Sequence, residues 1–531
     1  MAVSAAARSE PLTVLTSTRA VLTLPDDSLI LTPATISISS ATGKIVDIVP
    51  EVLPETSFPA SATYIYYGSK LLMPGIVDAH VHLNEPGRTE WEGFNTGTRA
   101  AASGGVTTVI DMPLNAIPPT TTLAGFKEKL AASRGQCWVD VGFYGGVIPG
   151  NADELLPLVE AGVRGFKGFL IESGVEEFPA ISVNDIALAM TTLKDSPTTL
   201  MFHAEMIPPI ADSVGDAVQA SVPPLAPHGD LKAYQTFLES RPPSFETYAI
   251  NQIISLAHLA PSLHLHIVHL SATQAIPILK AARKAGVDIT AETCFHYLGL
   301  AAEGVDDGDC RYKCCPPIRE QLNQDRLWEE LVAPDSCIKT VVSDHSPCTP
   351  ELKLLPPHLQ TIEATQMRHS DSGIDMSADF ECEAEKVEET QPSATGDFFG
   401  AWGGISSVGL GLPILHTSAK KRGEKAPSIV DMVRLCCAAT AKHVGLSHRK
   451  GALKVGMDAD ICVFDDTEEW ILNSAGMHWK NRCSPWEGHC FTGRVKETWL
   501  RGQKIYEHGG ANGGFVCGKP VGEAIVEKRA A

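Results

Sequence analysis

The sequence predicts an α/β protein: a (β/α)8 TIM barrel carrying a small β-sandwich built from both chain ends. Three observations predict it. Both ends alternate apolar and polar residues in short runs punctuated by Gly and Pro. The middle alternates β-branched runs with helical segments, and it spans roughly 370 residues, room for eight such units. The whole chain, 531 residues, suits one large domain with a smaller companion.

Residues 1–70 hold Leu12-Thr-Val-Leu, Ala34-Thr-Ile-Ser-Ile and Lys44-Ile-Val-Asp-Ile-Val, which read as strands of the N-terminal part of the sandwich. Residues 71–447 read as the barrel. Strands are expected near 72–83, 106–111, 139–147, 163–170, 199–204, 264–269, 288–293 and 338–344, with helices such as Thr122–Arg134, Asn184–Lys194 and Gln274–Ala285 between them. Residues 352–396 break the rhythm with Pro356-Pro-His and Glu381-Cys-Glu-Ala-Glu-Lys-Val-Glu-Glu. They read as a flexible acidic insertion, either a gate over a pocket or a solvated loop. Residues 448–531 return to strands at Asp460-Ile-Cys-Val-Phe-Asp, Val495-Lys-Glu-Thr-Trp-Leu and Gln503-Lys-Ile-Tyr, the C-terminal part of the sandwich.

Composition removes some functions. A net charge of −20 argues against nucleic acid or an anionic membrane as the main partner, since both are polyanions. No apolar run approaches the ~20 residues that cross a bilayer, and the N-terminus lacks the pattern of a secretory signal, so a cytoplasmic protein is expected. The 14 cysteines include no Cys-x-x-Cys, which fits reduced thiols better than a disulfide framework or a thiolate metal cluster.

The strongest chemical signal is Met73-Pro-Gly-Ile-Val-Asp-Ala-His-Val-His-Leu. His80 and His82 lie two apart on a strand and so face one side, where two neutral imidazoles can bind a divalent cation. Single polar residues then follow later apolar runs: His203 after Thr198-Thr-Leu-Met-Phe, and Asp344 after Lys339-Thr-Val-Val-Ser. Strand ends on this side form the catalytic face of a barrel. Leu263-His-Leu-His-Ile-Val-His offers His264, His266 and His269, and spacing does not choose among them. Lys167 sits inside Gly162-Val-Arg-Gly-Phe-Lys-Gly-Phe-Leu. A lysine there is neutral, paired, or carboxylated by carbon dioxide into an anionic carbamate able to bridge two cations.

The set His80, His82, Lys167, His203, His269 and Asp344 resembles the binuclear site of the cyclic amidohydrolases, which include dihydroorotases, dihydropyrimidinases or hydantoinases, and allantoinases. The likeness runs through nearly the whole chain, including Lys450-Gly-Ala-Leu-Lys-Val-Gly-Met-Asp-Ala-Asp, with 352–396 as the main departure. It favours His269 over His264 and His266 as the ligand. It implies two divalent cations, zinc first and manganese, cobalt or iron as alternatives, with carboxylated Lys167 between them. It further implies that the cations supply a water nucleophile and polarise a ring amide, while Asp344 carries the proton. Within the group the match is closest to allantoinases, on His82-Leu-Asn-Glu-Pro-Gly-Arg, Ala291-Glu-Thr-Cys-Phe-His-Tyr, Lys313-Cys-Cys-Pro-Pro, Ser343-Asp-His-Ser-Pro-Cys and Ala401-Trp-Gly-Gly-Ile. That implies allantoin as substrate and allantoate as product.

Asn84 stands where dihydroorotases carry an arginine for the substrate carboxylate, which suits an uncharged ring. The resemblance implies substrate contacts at Asn115, Cys315, His296 and Gly403. Asn115 is also an ordinary turn residue, and His296 also reads as a hydrogen-bond partner behind the ligands. Cys315 replaces a serine of dihydropyrimidinases. His345 is expected to face away by parity. A homo-oligomer, tetramer or dimer, is expected. Two alternatives share the scaffold: a dihydropyrimidinase or hydantoinase, and a non-catalytic assembly protein.

Overall fold

The computed structural model describes residues 12–209, 229–359 and 395–529. Most of the expected insertion, residues 360–394, lies outside the described residues.

The strands are β1 (Leu12–Thr23), β2 (Leu29–Ser39), β3 (Ile45–Val49), β4 (Thr63–Tyr66), β5 (Leu71–Pro74), β6 (Ile76–Val81), β7 (Val106–Asp111), β8 (Asp140–Phe143), β9 (Gly145–Gly146), β10 (Phe166–Phe169), β11 (Thr199–His203), β12 (His264–Ile267), β13 (Ile289–Cys294), β14 (Ile338–Val342), β15 (Ile461–Ile471), β16 (Cys490–Leu500) and β17 (Gln503–Glu507). The chain ends meet in one sheet ordered β17-β16-β15-β5-β1-β2-β3, with β4 on β1. Alternation sorts its side chains: Leu15, Leu22, Ile36, Ile38, Ile461 and Val463 build a separate apolar cluster. Val21, Leu71, Met73, Cys462, Phe464 and Val495 turn toward the larger core that fills the rest of the molecule.

Strands β6 to β14 close a parallel barrel. The path β14-β13-β12-β11-β10-β9 and the path β6-β7-β8 join at Tyr144, whose N–H donates to Asp111 while that of Gly145 donates to Gly165. The other seam closes where His82 N–H donates to the His345 carbonyl at 2.8 Å. Helices such as Phe94–Ser103, Leu123–Ser133 and Val183–Leu193 return the chain between strands, the right-handed βα repeat such a barrel needs. No helix among the described residues is long and apolar enough to cross a membrane.

One expected strand, 72–83, is two. β5 belongs to the end sheet and β6 to the barrel, with Gly75 between them. A Cβ on Gly75 would lie 2.2 Å from Thr107 Oγ1, so only glycine lets the chain turn so close to β7. At the barrel end where β8 starts, Lys450 ties the two sheets together. Its Nζ lies 2.7 Å from Asp140 and Asp460 and 3.0 Å from Asp458.

Candidate metal centre

Five strands deliver six chemical groups to the barrel's other end. His80 and His82 share one face of β6 and its continuation, their rings 5.5 Å apart. Lys167 sits mid-β10, His203 ends β11, and His269 and Asp344 each follow their strands, β12 and β14, by two residues. His80 Nε2 lies 3.1 Å from Asp344 Oδ1 and 3.2 Å from Lys167 Nζ. His82 Nε2 is 3.5 Å from the same Asp344 oxygen. His203 Nδ1 and His269 Nε2 stand 3.0 Å apart. His80, His82 and Asp344 thus form one ligand-like group, and His203 and His269 form a second beside it.

His269 and Asp344 have φ of 39° and 46°, the left-handed region that costs a non-glycine residue of order 1 kcal/mol. That turn rotates His269 inward although its parity in the run is opposite to His264 and His266. Those two stay on the inner face of β12 but deeper. His266 Nδ1 meets Thr290 Oγ1 at 2.7 Å, and His264 Nε2 meets it at 3.0 Å. With His443 they form a further histidine group. Its His266 and His443 rings lie 4.1 Å apart, tilted at 41°.

Burial depresses all four imidazoles of the centre. His80 and His269 fall well below the usual range, with Lys167 adding to the effect. His82 and His203 are also lowered, against the pull of Asp344 and Glu205. They are therefore neutral bases with lone pairs to offer. Burial brings Lys167 down to about 8, although Asp344 and Glu292 oppose it. Burial works to raise Asp344, but the His82 hydrogen bond and the Lys167 charge hold its carboxyl below the usual range.

Outer partners fix which nitrogen faces inward. Glu292 Oε1 bonds His80 Nδ1 at 2.5 Å, and Glu205 Oε2 bonds His203 Nε2 at 2.7 Å, the arrangement that orients metal-ligating histidines. Neither glutamate was singled out from sequence. The signal was present, since each is a carboxylate in or next to an apolar strand and cannot be buried unpaired.

The cavity over these groups has a volume of about 340 Å3 and is lined among others by His82, Asn115, Lys167, Phe169, Arg241 and Trp402. Cys315 and Gly403 also line it, and a Cβ on Gly403 would lie 3.4 Å from Cys315 Sγ. Asn115 takes a turn conformation, φ 68°, and its amide nitrogen stands 3.4 Å from His82 Nδ1, while its Oδ1 is buried without a partner. His296 is buried, pushed down to about 4, and lies in a group with Cys294 and Asp344 rather than on the cavity wall. Asn84 is buried away from the cavity, its amide donating to the Pro347 carbonyl at 3.3 Å. His345 faces away, as parity requires, and accepts from the Ser407 N–H at 3.1 Å. Arg241 was missed: it reaches the cavity from the loop after the helix Tyr234–Ser240, where no periodicity marks it.

Comparison with known proteins gives consistent findings. The sequence pattern of the amidohydrolase family matches residues 71–305 and 406–505. An allantoinase of Saccharomyces cerevisiae is 44% identical over 503 residues, covering 94% of this chain and 96% of that one. An allantoinase of Streptomyces avermitilis is 40% identical over 477 residues, with 90% and 92% covered. Among solved structures, an L-hydantoinase (dihydropyrimidinase) from Arthrobacter aurescens superposes with a TM-score of 0.77 at 25% identity, covering 97% of this chain and 99% of that one.

Proposed function

The chain belongs to the amidohydrolase family and is a metal-dependent cyclic amidohydrolase, and on that premise we propose that the ring it opens is allantoin, giving allantoate. The observation that carries this reading is the gathering of four neutral imidazoles, a buried lysine and an aspartate around one cavity whose wall mixes apolar, neutral polar and charged residues. The 40–44% identity to allantoinases favours allantoin over the rings of hydantoinases.

The donor set fits a pair of divalent cations. It holds imidazole and carboxylate and no thiolate, which suits zinc and also manganese, cobalt or iron. His269 Nδ1 is buried with no partner, and the carboxylates behind His80 and His203 already orient two of the rings. We assign His80, His82 and Asp344 to one cation and His203 and His269 to the other. Lys167 lies between the two groups. At about 8 its amine is partly uncharged near neutrality and can add to carbon dioxide, forming an N–C bond and losing a proton to become a carbamate. When bound, the metals supply a water made nucleophilic near neutrality and polarise the ring carbonyl.

The chain's own groups do the rest. Asp344, ionised in its buried site, takes a proton and returns it to the departing ring nitrogen. Phe169, stacked on His203 at 4.5 Å, and Trp402 give the cavity its apolar wall. Asn115 orients His82 or meets a substrate N–H through its unpaired oxygen, and Cys315 and Gly403 border the ring. We read residues 71–447 as the catalytic unit with 1–70 and 448–531 as its β companion, acting as a cytoplasmic homo-oligomer. Free thiols at all described cysteines suit such a reducing compartment.

Side-by-side turnover by metal-loaded protein tests the substrate. Allantoin is expected to exceed dihydrouracil and hydantoin in kcat/KM. A tenfold preference for either rival, ~1.4 kcal/mol in barrier, rejects it.

A further inference from the structure

Arg241 reaches the cavity wall from a loop, yet its position is tightly defined. Its backbone carbonyl accepts from Arg319 Nη1 at 3.2 Å, and its Nη1 donates to Glu205 Oε2 at 2.5 Å. Glu205 is fully buried. The guanidinium and this buried carboxylate form a salt bridge. Arg241 and Cys315 line the same cavity.

The pairing changes what this arginine offers. A guanidinium has five N–H donors in a rigid fork, and among the described residues Nη1 to Glu205 is its one side-chain hydrogen bond. Its charge is matched by Glu205, so the remaining donors reach the cavity from an ion pair with no net charge. A bare arginine selects carboxylate or phosphate. A neutralised one presents direction without net attraction for anions, and so suits a neutral carbonyl oxygen. Lys313, also on this wall, does not compete: its Nζ is held by the Phe399 carbonyl at 3.1 Å and the Ala401 carbonyl at 2.5 Å.

We propose that Arg241 is a specificity-determining residue that hydrogen-bonds the carbonyl of the neutral ureido arm attached to the substrate ring, outside the amide that is cleaved. This rests on the allantoin reading above. A ring without that arm leaves the Arg241 donors unmatched. A site built around such donors discriminates against the shorter ligand far more than an apolar pocket could.

The test uses full-length, metal-loaded protein with Arg241→Gln and Arg241→Lys, reading KM and kcat for allantoin and the competitive Ki of hydantoin, which lacks the arm. Metal content is measured on each variant. KM for allantoin is expected to rise roughly 10- to 100-fold in Arg241→Gln, with Ki of hydantoin within about threefold of wild type and metal content unchanged. Arg241→Lys, which keeps the charge but not the fork, is expected to remain defective. KM and Ki rising together, or kcat and metal content falling with KM unmoved, assigns Arg241 to support of His203 through Glu205 and overturns the proposal. So does an unchanged KM. Wild-type protein that prefers hydantoin over allantoin rejects the substrate reading itself, before any variant is made.

Discussion

Lys167 and Lys450 are both about 1% exposed, and they carry opposite electrostatics. Lys450 lies among three aspartates, and although burial works to lower it, Asp460, Asp140 and Asp458 raise it above the usual range. Lys167 has an imidazole nitrogen 3.2 Å away and the face of Phe169 at 4.9 Å, and burial wins, leaving it near 8. Desolvation acts on both amines alike. The neighbours decide whether a buried lysine is a permanently charged tie between two sheets or a reactive amine. The two ends of the barrel therefore differ: a charged tie between sheets at the β8 start, and a gathered set of imidazoles, a lysine and an aspartate at the strand ends.

That contrast can be broken most sharply at Lys167. Lys167→Ala is expected to lower kcat/KM at least about 10^4-fold, over 5 kcal/mol in barrier, and to reduce bound metal, while the thermal midpoint holds or rises. Steady-state kinetics, metal analysis and a melting curve together read it, and full activity in this variant would erase the distinction. Lys450→Met should do the reverse. It strands Asp140, Asp458 and Asp460 and is expected to cost roughly 3–5 kcal/mol in urea unfolding, with metal per folded chain unchanged.

The pH dependence has opposite signs at the two sites. A lysine lowered to about 8 releases its proton on folding between that value and the unfolded value of about 10.4. Through that window the unfolded chain binds more protons, so stability rises with pH. Metal-free wild type is expected to gain roughly 3 kcal/mol relative to Lys167→Met between about pH 8 and 10.5. Lys450, being raised, contributes stability that is complete below the unfolded value and fades only above it. A flat difference curve for Lys167 would place its charge elsewhere. The smallest effect is expected at Glu292→Gln, which keeps the shape behind His80 but weakens its orientation. Metal affinity should fall roughly 10- to 100-fold, read by competition with a chelator.

Much of this arrangement was legible in the sequence because strand periodicity carries it. His80 and His82 share a face by arithmetic, and Lys167 stands out as an ammonium in an apolar run. The eight barrel strands, with β8 and β9 counted as one strand broken at Tyr144, follow from recurring β-branched runs. What stayed hidden depends on contacts between distant segments. His269 turns inward through a left-handed φ that no parity rule contains, which is why spacing left three histidines open. The split of 72–83 at Gly75 depends on how near Thr107 lies. Asn84, read as a cavity residue, instead bonds Pro347, 263 residues away. Glu205 and Arg241 meet across 36 residues, and their partnership exists only in the folded chain.

The central claim is that Lys167, as a carbamate, joins two cations held by four histidines and Asp344. Its most direct test is metal stoichiometry of apo-protein reconstituted with zinc, with and without bicarbonate. The account predicts about two equivalents per chain with bicarbonate, fewer when carbon dioxide is excluded, and no bicarbonate effect in Lys167→Ala. Two tightly bound equivalents in Lys167→Ala, or one equivalent in wild type under every condition, would contradict it.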